Sequence, residues 1–173
     1  MSRVKLICLY GPESTGKSVM AQHLAALYRT EWVPEVAREF VSSNVFTVED
    51  IIKIGHAHVA RIKEKTKTAN KFLFCDTDII TTQIYCNHYL HTVPPVLFEL
   101  EKQVRYDAYF LFDVDVPWIA DGMRDLGHQR EKMLETFKRQ LDVRGIPYFW
   151  VRGNWEQRLK TIQQALVAVL LHD

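Results

Sequence analysis

Gly11-Pro12-Glu13-Ser14-Thr15-Gly16-Lys17-Ser18, GPESTGKS, follows the apolar run Val4 to Tyr10 and precedes Val19 to Tyr28, which reads as a helix. The octet fits G-x-x-x-x-G-K-[ST], the P-loop whose backbone N–H groups turn inward around the oxygens of a nucleoside triphosphate. Gly11 and Gly16 permit the left-handed dihedrals this turn needs. Glu13, Ser14, Thr15, Gly16 and Val19 complete the phosphate contacts. Lys17 would reach the β- and γ-phosphates, and Ser18 would ligate Mg²⁺ while the positive end of the following helix faces the same anion. The expected cofactors are therefore ATP and Mg²⁺.

With 173 residues the chain is about one domain long, so 1–173 is expected to be a single unit with a core around one sheet. A formal charge of +1 leaves no electrostatic footprint for nucleic acid or an anionic membrane. The segment before the P-loop is too short for a signal peptide, and Ala165 to Leu171 is too short to span a bilayer. Cys8, Cys75 and Cys86 form no C-x-x-C pair and read as buried free thiols of a reducing compartment, so a cytoplasmic location is expected.

Val4 to Tyr10 has the continuous apolar character of a central parallel strand, and Val19, Met20, Leu24 and Leu27 follow at helical spacing. Trp32 to Glu35 reads as a short second strand running into Glu35, Arg38 and Glu39, which are either ligand groups at a strand end or a solvated turn. Thr47 and Asp50 form a capping box for a long helix with Ile51, Ile52, Val59 and Ile62 on one face; His56 and His58, two apart, point in different directions. Lys71 to Cys75 is a third strand ending in Asp76-Thr77-Asp78. Asp76 is placed to hold the Mg²⁺ shell or accept a proton, whereas Asp78 is either a site residue or the N-cap of the helix Ile79 to Tyr89.

Ala108 to Phe112 is a fourth strand. The polar stretch after it, DVDVPWIADGMRDLGHQR, is either a mobile lid over about 115–130 that delivers Arg124 to the phosphates, with Arg130 as a second candidate, or an exposed loop. Met133, Leu134, Phe137 and Leu141 mark the next helix, Pro147 to Val151 a fifth strand, and Asn154 the N-cap of a last helix. The expected fold is α/β, a three-layer P-loop kinase fold with a five-stranded parallel sheet flanked by helices. The second strand should lie at one edge and the Asp76 strand beside the P-loop strand, because both ends must share one Mg²⁺.

No N-K-x-D guanine motif is present, since Asn70-Lys71-Phe72-Leu73 lacks the Asp. A compact P-loop domain with a strand-end acid and an arginine-bearing segment suits a kinase for a small acceptor. GPESTGKS together with EVAREF (Glu35 to Phe40), Gly55-His56, DTDIITTQ (Asp76 to Gln83) and DGMRDLG (Asp121 to Gly127) resembles the ribosylnicotinamide kinase domain of the NadR family. The resemblance implies transfer of the ATP γ-phosphate to the 5′-hydroxyl of nicotinamide riboside. It also implies what is not expected here, because the string Lys53-Ile54-Gly55-His56 fails the H-x-G-H adenylyltransferase signature and the chain is too short for that domain or a DNA-binding one.

On this reading Lys17, Ser18 with Mg²⁺, and Arg124 neutralise the γ-phosphate, while an acid among Asp76, Asp78 and Glu35 holds the ribose and orients or deprotonates its hydroxyl. A cationic pyridinium favours aromatic and acidic lining, for which Glu35, Glu39, Trp32, Phe40 and Tyr85 are candidates. Arg38 pairs with one of these acids or binds phosphate. Two alternatives stay open, a kinase of another nucleoside or nucleotide and a non-catalytic sensor of ATP or an NAD-related nucleotide.

Overall fold

Strands as apolar as these must be covered on both faces, and the arrangement meets that demand. The computed structural model describes residues 2–116 and 127–172. The elements in chain order are β1 (Lys5–Tyr10), α1 (Lys17–Leu27), β2 (Glu31–Val33), α2 (Ala37–Phe40), α3 (Val48–Thr66), β3 (Phe72–Asp76), α4 (Ile79–Leu90), α5 (Pro95–Lys102), β4 (Ala108–Phe112), α6 (Arg130–Val143), β5 (Phe149–Val151) and α7 (Trp155–Leu171). The strands form one all-parallel sheet in the order β2-β3-β1-β4-β5, with β2 at an edge and β3 beside β1 as expected.

On one face Phe72, Phe74, Phe110 and Phe112 lie fully buried beneath Met20 and Leu24 of α1 and Ile162 and Leu166 of α7. Each such ring contributes about 2 kcal/mol through burial, which makes this layer the main source of stability. On the other face Tyr10, Tyr109 and Leu111 meet Ile80 and Ile84 of α4 and Met133, Phe137 and Leu141 of α6. Cys8, Cys75 and Cys86 are free and buried.

Local signals set the element ends. Thr47 and Asp50 close a capping box on α3, and Asn154 and Gln157 close another on α7. β2 stops at Val33 instead of reaching Glu35, because Pro34 has no N–H to extend the ladder. On α1, Val19 and Leu27 are exposed, and Ala21 and Ala25 take the buried places beside Met20 and Leu24. The two small residues let α1 lie close to the sheet. Gly55 does the same for α3, since a Cβ there would stand 2.8 Å from Leu97 Cδ2 on α5.

His56 is exposed, whereas His58 is buried with its Nε2 3.5 Å from the Tyr106 hydroxyl. Burial pushes the His58 pKa down to about 4. Its unfolded value is near 6.5, so neutral His58 contributes stability above that pH, and this is lost as pH falls from about 6.5 toward 4. Between pH 7 and pH 5 the wild type should therefore lose about 2 kcal/mol relative to a His58→Leu variant in urea unfolding. Parallel curves for the two proteins would show that the imidazole is not held neutral.

Candidate active site

The P-loop leaves β1 through Gly11, whose φ of +137° and 2.8 Å approach of a built Cβ to the Phe112 carbonyl exclude any larger residue. Ser14 (φ +56°) and Gly16 (φ +89°) also take left-handed backbone, the alternation that turns successive N–H groups to one side. Gly16 caps α1 and, having no side chain, makes no cap hydrogen bond of its own to the helix's first N–H groups. The Lys17 ammonium folds back over the loop, donating to the Pro12 carbonyl at 2.6 Å and the Thr15 hydroxyl at 3.3 Å.

Pairing of Leu9 with Asp76 brings the end of β3 beside this loop. The Ser18 hydroxyl donates to Asp76 Oδ2. Asp76 is 1% exposed, and burial, with the neighbouring Glu35 carboxylate adding to it, raises its pKa to about 6. Lys17, the Ser18 hydroxyl and Arg38 restrain that rise. Thr77 then adopts φ +73°, a strained conformation for a β-branched residue, while its N–H donates to the Leu9 carbonyl. This kink sends its two acidic neighbours in different directions.

Asp76 faces the cleft; Asp78 does not. Asp78 Oδ1 accepts from the Thr81 N–H and hydroxyl, and Oδ2 from the Tyr109 hydroxyl, each at 2.8 Å. Both oxygens are engaged by the fold, so Asp78 is the N-cap of α4 and a clasp to β4, and the expectation that it also binds substrate is corrected. Glu39 is corrected likewise. Arg61 holds it bidentately on the outer surface at 2.7 and 2.9 Å and lowers its pKa, away from the cleft lining.

Glu35 and Arg38 line the cleft as a 3.0 Å ion pair, so Arg38 stands beside both an acid and the phosphate-binding space. The cleft encloses about 400 Å³. Beside it lies a slot of about 70 Å³ lined by Phe46, Ile51, Ile54, Thr82, Tyr85 and Tyr89. Phe46 meets Tyr89 edge-on at 5.5 Å, and Tyr85 stacks on Tyr89 at 6.4 Å. Burial, with Glu13 and Glu35 nearby, pushes the Tyr85 hydroxyl well up, so it remains a neutral donor. Neither Trp32, packed on the core, nor Phe40, exposed on α2, lines either space.

A family model described as an AAA domain matches residues 6–158. The chain belongs to this family. Over 130 residues it is 35% identical to the trifunctional NAD biosynthesis/regulator protein NadR of Escherichia coli (strain K12), covering 72% of this chain and 32% of that protein. The chain thus spans about a third of the length of the curated relatives it matches. A crystal structure of NadR in complex with NAD and AMP-PNP superposes with a TM-score of 0.82 at 20% identity, covering 98% of this chain and 50% of that one. NadR in complex with NR gives 0.76 at 21% identity, covering 93% and 51%. Thymidylate kinase from Candida albicans gives 0.66 at 15% identity, covering 100% and 96%. The likeness expected from the motifs is thus found, and the fold of this AAA domain is that of P-loop kinases.

Two residues that the sequence reading did not single out complete the cleft of the AAA domain, Trp155 and Arg158 at the start of α7. Arg158 is 3% exposed and joins Ile162, Ala165 and Leu166 on the buried face of α7. A charge at an apolar-stripe position, i and i+4 from Ile162, was the available signal. Arg130 sets its guanidinium against the P-loop, donating to the Ser14 and Val116 carbonyls. Arg124 and most of the expected lid lie outside the described residues. No helix among the described residues is long and apolar enough to cross a membrane.

Among the described residues no cluster of three or more His, Cys, Asp or Glu side chains is built to cage a metal. Ser18 and Asp76 instead offer two oxygen donors at the loop's edge, which fits a hard cation that completes its shell with phosphate oxygens and water. Because the folded pKa of Asp76 is raised, its ionisation costs stability as pH rises from about 4 through 6. Asp76→Asn should therefore melt at a higher temperature than wild type at pH 8, with the gap closing near pH 4.5, and equal melting at pH 8 would refute the buried-charge assignment. Lys17→Ala should melt within a few degrees of wild type yet lose at least about 10²-fold in any nucleotide-dependent turnover.

Proposed function

We propose that this chain is a Mg²⁺- and ATP-dependent kinase that transfers the γ-phosphoryl group to the 5′-hydroxyl of nicotinamide riboside, giving nicotinamide mononucleotide. The observation that carries the reading is the conjunction of a P-loop cleft lined by Asp76, Glu35 and Arg38 with an aromatic slot whose Tyr85 interacts with Glu13 and Glu35 of that cleft. The likeness to NadR, one structure of which holds NR, supports the acceptor.

The donor triphosphate lies in the P-loop with Lys17 along its β- and γ-oxygens. Ser18 and Asp76 would hold Mg²⁺, which supplies charge neutralisation at the transferring group. Arg124 is assigned to the same charge from the other side. The riboside enters from the β2 side with its pyridinium ring against Tyr85 and Tyr89, whose faces favour a cation. Glu35, the acid on the acceptor side, takes the hydrogen bond of the 5′-hydroxyl and its proton as the oxygen–phosphorus bond forms, while ADP leaves with the electron pair of the broken bond. Arg38 holds Glu35 in place. The protein's partner is a small molecule, without nucleic acid or membrane, and its location the cytoplasm.

Purified protein with Mg-ATP and a panel of nucleosides should form nicotinamide mononucleotide and ADP from nicotinamide riboside. Product from a neutral nucleoside alone would keep the mechanism and move the acceptor. Absence of any product while ATP is bound would favour a nucleotide sensor. Glu35→Gln should lower kcat on nicotinamide riboside by at least about 10²-fold. Arg124→Ala should cost on the order of 10³-fold, and a near-normal rate would remove the arginine from the reaction.

A further inference from the structure

Two arginines from different helices reach the same side of the P-loop. Arg130, the first residue of α6, donates through Nη2 to the Ser14 carbonyl at 3.2 Å and through Nη1 to the Val116 carbonyl at 2.7 Å. Arg158, four residues into α7, donates through Nη1 to the Thr15 carbonyl at 3.0 Å. Its remaining donors go to the Gly153 carbonyl at 2.8 Å, the Asp113 carbonyl at 3.2 Å and the Asp115 carboxylate. Consecutive carbonyls of the loop are thus each held by a buried guanidinium.

In a trans peptide the C=O and the next N–H point in opposite directions. Fixing the Ser14 carbonyl therefore fixes the Thr15 N–H, and fixing the Thr15 carbonyl fixes the Gly16 N–H, both turned away from the arginines. Ser14 needs such a restraint, because its left-handed φ of +56° is unfavourable for a residue with a Cβ. Arg130 is also an expensive way to obtain stability alone. It is 9% exposed, and its buried Nε has no acceptor among the described residues.

We propose that Arg130 and Arg158 are positioning residues that preset the P-loop through its carbonyls, holding the Thr15 and Gly16 amides aimed into the cleft before any phosphate arrives. Arg158 also lines the cleft, but holding the loop does not require either guanidinium to touch the donor. The loop then does not have to be ordered at the moment of binding, so the effect is on donor affinity, not on the transfer step. Arg130 thereby exchanges the γ-phosphate role expected from the sequence for one on the loop itself. The inference rests on the cleft's being a polyphosphate site and not on which acceptor is used.

The test is calorimetric titration of Mg-ATP and of inorganic tripolyphosphate into wild type, Arg130→Gln and Arg158→Lys, with kcat and both KM values taken in parallel. Each variant should raise the Kd of both ligands about tenfold, a loss of about 1.4 kcal/mol, and raise the KM for ATP alike. The acceptor KM and the kcat at saturating ATP should stay within about twofold. Arg130→Lys, which keeps the charge and one hydrogen bond, should recover part of the loss, and it decides the matter if Arg130→Gln does not fold. Unchanged Kd values in cooperatively melting variants would reduce both arginines to structural staples and overturn the inference. So would a loss confined to kcat, which would put Arg130 on the transferring group. Wild type that binds neither ligand would overturn the polyphosphate site itself.

Discussion

The parallel register of β1 and β3 is the constraint on which the site depends. Because Leu9 pairs with Asp76, the last residue of one strand stands level with the start of the loop that follows the other. A slip of one residue would turn Asp76 to the opposite face of the sheet and remove it from Ser18. That register is held by the Phe72 and Phe74 rings on one face and by Leu73 and Cys75 on the other. The chemistry at the strand ends is thus specified by packing several residues away, where the free energy of burial is largest.

From the same register follows the division between the two aspartates. Thr77 accepts an unfavourable dihedral, and the carboxylates on either side of it turn to different partners. One is left among Lys17, Ser18, Glu35 and Arg38 with its charge only partly compensated. The other is spent on holding α4 against β4 through Thr81 and Tyr109. The strain at Thr77 is sustained by the sheet on one side and the capped helix on the other.

Much of this was legible in the sequence where a residue's role is local. GPESTGKS needs only its own backbone, and the capping residues Thr47 and Asn154 act within three positions. The place of β3 beside β1 followed from requiring Ser18 and Asp76 to meet. Roles settled by distant partners were not legible in the same way. Nothing near Glu39 shows that Arg61, 22 residues on, will claim it, and nothing near Asp78 announces the Tyr109 hydroxyl. Arg158 binds a carbonyl 143 residues away; its only local trace was a charge on an apolar stripe. Val19 and Leu27 match the helical period as well as Met20 and Leu24 do, and only the close approach allowed by Ala21 and Ala25 chose between them.

The aromatic slot is built from α2, α3, α4 and the segment carrying Phe46, whereas the guanidiniums that hold the P-loop carbonyls come from α6 and α7. The two sides are not insulated from each other. Tyr85, which lines the slot, meets Phe137 of α6 edge-on at 5.8 Å, and Ile80 and Ile84 of α4 share a core with Met133 and Leu141. A change of ring at Tyr85 is therefore felt, through that core, by the helix whose first residue grips the P-loop. A lineage with this architecture can revise the slot more freely at Phe46, which packs with a different cluster, than at Tyr85.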